Sequence, residues 1–429
     1  MKILILSSPH PYFAAGIVAT DLFTELKKIE GYEVKMLVNQ WGEFHDKNII
    51  SAKTKMQEVT TNFIRKAKKA LVKFKIIKAN TTAYDYHFLE YDQTKTHYNT
   101  EDLLNKVDFH PDVIIALFMY NFISYKTLYE MEKLTSARVY LYPMDMAPFT
   151  GGCHYAWECK GYIKECGICP ALYSSVANDQ SNKNVNFKKF YIQKSAISLF
   201  SANKQMTKQI QSSAIFNSKK IHEGIFPLPN PKIFYSKGRD LSREHFKINT
   251  KKMIFFIGAC SLNEKRKGMG VLLDSLDLIA KKKSEFGKEI YLLIAGDMNE
   301  EMRTSIPFEY YCLGFTKDFE ELAFAYCAAD YYISSSVEDS GPTMVLQSIL
   351  CETPVISFDI GYAKDFIVDE INGFKAMEKT SLAFSKSIYR AIIQGEGKYI
   401  QMKNQLRILS GSLSAKNAAK RIHEILLNS

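Results

Sequence analysis

Apolar runs punctuate both halves of this sequence, and in each half they alternate with segments whose apolar positions recur at helical spacing. The order is KILILSS, TDLFTELKKI, YEVKMLV in the first half and MIFFIGA, GVLLDSLDLIA, IYLLIAG in the second. Short continuous runs between amphipathic helices predict two parallel-sheet α/β domains. Further strands are expected at DVIIALF, ARVYLYPM and AISLFSA before residue 204, and at FEYYCLG, DYYISSS and PVISF after residue 307. Between them Phe226–Pro231, FPLPNP, starts neither helix nor strand and is expected to be the linker. A last helix, roughly Ala415 to Leu427, has apolar residues at helical spacing and suits packing on either domain. The expected boundaries are 1–226, 227–414 and 415–429. No internal repeat or low-complexity tract interrupts them.

With 429 residues, 46% of them hydrophobic, the chain can fill two cores. The start, MKILILSSPH, breaks into serine and proline as a buried strand would, and is too short for a signal-peptide core. No stretch approaches the roughly 18 apolar residues of a membrane-crossing helix. A soluble, cytoplasmic protein is expected. The net charge of +10 fits nucleic acid, an anionic membrane or a phosphorylated small molecule, and composition does not choose among them. Of eight cysteines, Cys260, Cys312, Cys327 and Cys351 sit alone in apolar contexts and are expected in the core.

Ligands of open α/β sheets bind beyond the carboxyl ends of strands, so the strand-to-helix junctions carry the candidate chemistry. After DYYISSS comes VEDSGPTMVLQSIL, where Ser340 or Gly341 is expected to cap a helix and Pro342 to take its first position. The amides of Thr343 and Met344 then point outward, as suits a phosphate. Asp339 on the loop and Gln347 on the helix offer hydrogen bonds to hydroxyls. An ordinary cap followed by a polar helix position fits the same residues. After MIFFIGA comes CSLNEKRKGMG, with Arg266 and Lys267 ahead of Gly268. It lacks both the P-loop ending and the third glycine of a dinucleotide fingerprint, and a solvated basic loop is the alternative.

Taken together, GA…RKG, LGFTKDFEELAFAYCAADYYISSSVEDSGPTMVLQSILCETPVISFDIG and EINGF resemble the nucleotide-binding half of retaining glycosyltransferases of family 4. YPMDMAPFTGGCHYAWECKGYIKECGICP resembles a branch that builds bacterial surface polysaccharides, such as O-antigen or capsule. The resemblance covers most of the chain from about residue 138 and is loose before that. It implies the GT-B fold, two facing Rossmann-like domains with a crevice between them. It also implies a diphosphate held by Lys267, Arg266 and the amides near Thr343, with Ser340, Gly341 and Met344 around it. Asp339 is then the residue meeting the donor sugar, and Gln347 the one clasping the ribose. Gly314, Phe315 and Thr316 lie against the base. Gly16, in the loop PYFAAGIVAT, matches the family's glycine near the donor phosphates, although a plain turn explains it equally. On the acceptor side the resemblance implies Asp145; His154, beside Cys153, is a further candidate there, and a turn histidine paired to backbone fits it equally. No catalytic metal is expected. The chain departs from the family at Gln347, usually glutamate; at Glu352, usually glycine; and at Met144, often histidine.

Cys153, Cys159, Cys166 and Cys169, spaced C-x5-C-x6-C-x2-C in the loop 150–170, suit a structural zinc, with free thiols or disulfides as alternatives. Residues 63–78 carry seven basic and no acidic side chains, with Phe63, Ala67, Ala70, Leu71 and Phe74 on one helical stripe. That pattern suits contact with an anionic membrane, and equally a surface helix packing its stripe on the domain. No nucleic-acid module accompanies it. The expected function is transfer of a sugar, retaining configuration, from a nucleotide-sugar to a glycan acceptor linked to a polyprenyl diphosphate, at the inner face of the plasma membrane. A nucleotide-sugar epimerase and a catalytically inactive binding protein are the alternatives.

Overall fold

The computed structural model describes residues 1–13, 15–73, 83–225, 229–248, 251–287, 289–413 and 415–428. Its backbone divides into two compact units, Met1–Ala202 with Met206–Phe226 and Arg421–Ser429, and Asn203–Gln205 with Pro227–Lys420. Part of the expected linker, 226–228, lies outside the described residues.

The first unit is built on seven parallel strands: β1 (Lys2–Ser7), β2 (Glu33–Val38), β3 (Ile49–Ser51), β4 (Val113–Ala116), β5 (Arg138–Leu141), β6 (Ser198–Phe200) and β7 (Ile221–His222). They lie in the order β3-β2-β1-β4-β5-β6-β7. The second unit has β8 (Met253–Ser261), β9 (Ile290–Asp297), β10 (Glu309–Gly314), β11 (Tyr331–Ser334), β12 (Val355–Phe358) and β13 (Gly373–Ala376), in the order β10-β9-β8-β11-β12-β13. All of their pairings are parallel.

The unbroken apolar runs have a direct physical cause. Ile3 to Leu6 and Val113 to Ala116 have no exposed surface, because helices cover both faces of the sheet and leave no position for a polar side chain. The helix Gly16–Leu26 buries Ala19, Phe23 and Leu26, and the helix Met269–Ala280 buries Met269, Leu272, Leu276 and Ile279, each set at helical spacing. In both sheets the order reverses beside the first strand of the unit, between β1 and β4 and between β8 and β11. Such a switch point opens a binding position at the carboxyl ends of the strands.

The strands β3, β7 and β13 were not expected from the pattern, being two to four residues long and too short to show a period. Cys260 is exposed and Cys312 half-buried, so only Cys327 and Cys351 fit the expected core role. Cys260 lies in the last residues of β8, where the strand is already leaving the sheet. The end of the helix Ala415–Leu427, from Arg421 onward, belongs to the first unit: His423 Nδ1 is 2.7 Å from the Tyr32 hydroxyl, and Arg138 Nη1 donates to the Leu426 carbonyl at 2.7 Å.

Candidate active site

In the second unit the switch-point strands β8 and β11 each end in a loop, and the two loops are bonded together. Ser335 Oγ donates to the Lys267 carbonyl at 2.8 Å, and the Val337 amide donates to the Arg266 carbonyl at 2.8 Å. Gly268 allows this approach. Its φ of +66° favours glycine, and a Cβ there would sit 2.1 Å from the Ser335 carbonyl oxygen.

The expected site residues Arg266, Lys267 and Asp339 meet at this seam. Arg266 Nη1 and Lys267 Nζ stand 2.8 and 2.7 Å from the same oxygen, Asp339 Oδ2. Burial pushes the Asp339 carboxyl up, but the charges of Lys267 and Arg266, with hydrogen bonds from Lys267 and the Gly341 amide, hold it below the ordinary carboxylate value. Arg266 Nε also lies 2.7 Å from Glu264 Oε2, at an angle that makes an ion pair rather than a hydrogen bond. Two cations thus face two carboxylates. The pattern CSLNEKRKGMG read as a basic loop, and Glu264 inside it was passed over.

The following helix is Thr343–Leu350, with Pro342 as its N-cap in an extended conformation. This corrects the expectation that Ser340 or Gly341 caps and Pro342 opens the helix. The entrance is folded instead by Asp339, whose Oδ1 accepts from the Gly341 amide at 3.1 Å, two residues on. The Thr343 and Met344 amides have no acceptor among the described residues, as expected of a first helical turn. Met344 presses on the end of β8, where a Cβ at Gly258 would lie 2.4 Å from its methyl group.

Gln347 is 7% exposed, and its Oε1 accepts from the Tyr326 hydroxyl at 2.9 Å. Tyr326 donates, so the Gln347 oxygen is committed and its Nε2 is the group left for a further partner. Glu352 has a φ of +56°, a conformation for which glycine is the ordinary residue, and both its oxygens lie 3.2 Å from Arg407. Gly314 ends β10 with a φ of +69°, Phe315 is half-exposed, and Thr316 Oγ1 accepts from the Asp318 amide at 3.0 Å.

In the first unit Gly16 is required by space: a Cβ there would stand 1.9 Å from the His10 carbonyl oxygen. Asp145, beyond β5, accepts from the Ala147 amide at Oδ1, 2.9 Å, and faces His154 Nδ1 at Oδ2, 2.8 Å. Met144 lies on the same pocket wall. The loop holding His154 is pinned from inside by Lys188, a buried residue that sequence reading missed, whose Nζ donates to the Ala147 and Thr150 carbonyls at 2.7 and 2.9 Å. Its burial lowers the ammonium to about 8.

Cys153, Cys159, Cys166 and Cys169 line one small pocket with Tyr86 and Phe88, and all are free thiols. Burial raises the Cys166 thiol to about 12 and pushes Cys153 and Cys169 up as well. Among the described residues no three His, Cys, Asp or Glu side chains are grouped as a metal requires, so the expected zinc finds no geometric support. The glycines of the loop are structural. A Cβ at Gly152 (φ +135°) would lie 2.4 Å from the Phe88 ring, and one at Gly167 (φ +96°) 2.0 Å from the Ala177 carbonyl oxygen.

Residues 251–394 match the family model described as glycosyl transferases group 1, so the second unit carries a group 1 glycosyltransferase domain. A comparison with curated proteins returns no match. Among solved structures the chain is similar to sucrose-phosphate synthase from Thermosynechococcus elongatus, at 14% identity and TM-score 0.67, covering 100% of this chain and 98% of that one. Anabaena HepE in complex with UDP is similar at 14% identity and TM-score 0.63, with 100% of both chains covered. So is WaaG, a glycosyltransferase involved in lipopolysaccharide biosynthesis, at 11% identity and TM-score 0.59, with 99% of both covered. At these identities the likeness concerns the fold, which is GT-B with two Rossmann-like domains.

Replacing Arg266 and Lys267 together by alanine leaves the Asp339 charge buried and unpaired, and lowers stability by about 3–5 kcal/mol. Adding Asp339→Asn recovers most of that loss, and urea midpoints of the two variants check it. In the wild type the Asp339 carboxyl titrates lower when folded than when unfolded. Its contribution is therefore present above about pH 4 and is lost as pH falls further, which acid titration of unfolding measures. In the cysteine loop, Gly152→Ala and Gly167→Ala each cost about 1–3 kcal/mol or more, read from the same midpoints.

Proposed function

We propose that the chain is a retaining glycosyltransferase of family 4, moving a hexose-type sugar from a nucleotide-sugar to a lipid-linked glycan in the building of a bacterial surface polysaccharide. The observation carrying this reading is the convergence of Arg266, Lys267 and the open amides of Thr343 and Met344 beside Asp339, inside the group 1 glycosyltransferase match. The diphosphate is read as lying on the cations and the helix start. As the bond between the sugar and the phosphate oxygen breaks, negative charge grows on the diphosphate where these groups already stand. The acceptor hydroxyl forms the new bond on the same face of the sugar, and its proton passes to the departing phosphate oxygen. Asp339 is read as meeting the donor sugar's hydroxyls. The base is assigned to Gly314, Phe315 and Thr316, and the ribose to Gln347. HepE was solved with UDP and with UDP-glucose, which supports a uridine diphosphate sugar as the first donor to test.

For the acceptor's lipid, support comes from the helix Lys55–Lys73. Met56, Val59, Phe63 and Ile64 are 59–80% exposed there, among exposed Lys55 and Lys66, so Phe63 is not packed on the domain. Residues 74–78 of the expected basic segment lie outside the described residues. An apolar strip flanked by lysines suits the inner, anionic face of the plasma membrane, with the protein peripheral on its cytoplasmic side. No helix among the described residues is long and apolar enough to cross a membrane. The protein should sediment with phosphatidylglycerol vesicles and not with phosphatidylcholine vesicles, and Phe63→Ser with Ile64→Ser should release it. Equal recovery with both lipids would refute this part.

One observation favours a second reading, a binding protein without turnover: an amide stands at Gln347, where the family offers a carboxylate. A thermal-shift screen of nucleotide-sugars, followed by donor-turnover assays, separates the readings. Stabilisation by one donor with turnover supports the transferase; stabilisation without turnover, even with glycan acceptors present, supports the binding protein. Gln347→Glu should tighten nucleoside diphosphate binding about tenfold, the scale of one hydrogen bond made to a charged group. Calorimetric titration checks it.

A further inference from the structure

The loop after β8 carries an acid that the diphosphate reading leaves unused. Glu264 is the N-cap of the short turn Lys265–Lys267, with an extended backbone, and its carbonyl accepts from the Lys267 amide at 2.8 Å. Its Oε2 stands 2.7 Å from Arg266 Nε, while Arg266 Nη1 stands 2.8 Å from Asp339 Oδ2. The guanidinium therefore lies between two carboxylates, one from each of the joined loops. Glu264 and Arg266 keep 15% and 12% of their side-chain surface, so water and salt screen this charge far less than they screen a surface pair.

The two carboxylates differ in reach. Asp339 touches both cations and the Gly341 amide, and so joins the two loops and the helix entrance. Glu264 sits in the same loop as the arginine it faces, two residues before it. Arg266 is placed by other contacts as well: its side chain meets Asp339, and its carbonyl accepts from the Val337 and Glu338 amides at 2.8 and 3.3 Å. What Glu264 adds is a negative charge against a cation assigned to the donor's diphosphate. With it, the charges of Arg266 and Lys267 are matched one for one by Glu264 and Asp339, and Lys265 and Glu338 flank the four with one further charge of each sign. An arriving diphosphate meets like charge as well as cations, and the more negative it is, the larger the penalty. A nucleotide-sugar, esterified at both ends of its diphosphate, carries about two negative charges at neutral pH, whereas the nucleoside diphosphate left after transfer has a free terminal phosphate and carries about three. The penalty falls more heavily on the product than on the donor.

We propose that Glu264 promotes release of the nucleoside diphosphate: its charge beside Arg266 weakens the site's hold on the product more than its hold on the nucleotide-sugar. The inference rests on the reading of this cluster as the donor's diphosphate site. Its test is calorimetric titration of UDP with UDP-glucose, GDP with GDP-mannose, and inorganic pyrophosphate into the full chain. Glu264→Gln keeps the side chain's size and removes its charge. It should tighten the nucleoside diphosphate about tenfold and its sugar ester about fivefold, in the proportion of three charges to two, and both gains should shrink in about 1 M sodium chloride. Glu264→Ala should show gains of the same order, which separates charge from the amide's own hydrogen bonds and keeps the test valid if the glutamine variant unfolds. Where the wild type binds a probe and neither neutral variant binds it more tightly, the proposal alone is overturned, and Glu264 is a support for Arg266. Equal gains for diphosphate and sugar ester, or gains indifferent to salt, also overturn it. A wild type that binds neither pair nor pyrophosphate refutes the diphosphate reading itself, and the proposal falls with it.

Discussion

The second unit's site depends on one buried carboxylate. Asp339 holds Arg266 and Lys267 from the loop after β8 with one oxygen and the Gly341 amide at the helix entrance with the other. A single side chain therefore fixes both the cations and the helix start in position, before any ligand arrives. Long basic side chains lose much freedom on binding an anion. Here that ordering has already taken place in the folded state, and it is the kind of preorganisation that makes an electrostatic site effective when charge develops. The same arrangement ties the cations to the fold as long as Asp339 is charged, since a buried carboxylate is tolerable only with its partners.

Gln347 follows an opposite logic. It is nearly as buried as Asp339, but among the described residues no cation is bonded to it; its partner is the Tyr326 hydroxyl. A carboxylate there would carry an uncompensated charge in a low-exposure position, whereas an amide carries none. An amide at this position is therefore inexpensive for the fold. Glu352 shows the reverse case. It occupies a left-handed conformation that glycine adopts freely, and its bidentate pairing with Arg407 is the compensating contact.

What the sequence disclosed follows from how far apart the cooperating residues lie. Strands such as Lys2–Ser7 and Val113–Ala116 were legible because complete burial writes an unbroken apolar run into consecutive residues. The crowded entrance VEDSGPTMVLQ was legible as a helix start, though the position of Pro342 was off by one residue, within the fraying expected of helix ends. The meeting of Lys267 and Arg266 with Asp339 spans 72 and 73 residues, and no periodicity encodes such a pairing; the family resemblance alone named the three together. Lys188 had no local signal at all. It acquires its role from the loop of Ala147 and Thr150, whose carbonyls it holds.

The two units solve the same local problem in the same way, at Asp339 in the second and at Asp145 in the first. In each, an aspartate beyond a strand end gives one oxygen to the amide two residues on, Ala147 for Asp145 and Gly341 for Asp339. That bond sets the side chain's rotamer and leaves the second oxygen aimed at a basic partner. The partners then divide the chemistry. Opposite Asp339 stand two permanent cations, suited to a group whose negative charge must be stabilised. Opposite Asp145 stands the His154 imidazole, its Nδ1 2.8 Å from Oδ2. One turn geometry thus orients two permanent cations in one unit and an imidazole in the other, and the difference lies in which base the second carboxylate oxygen holds.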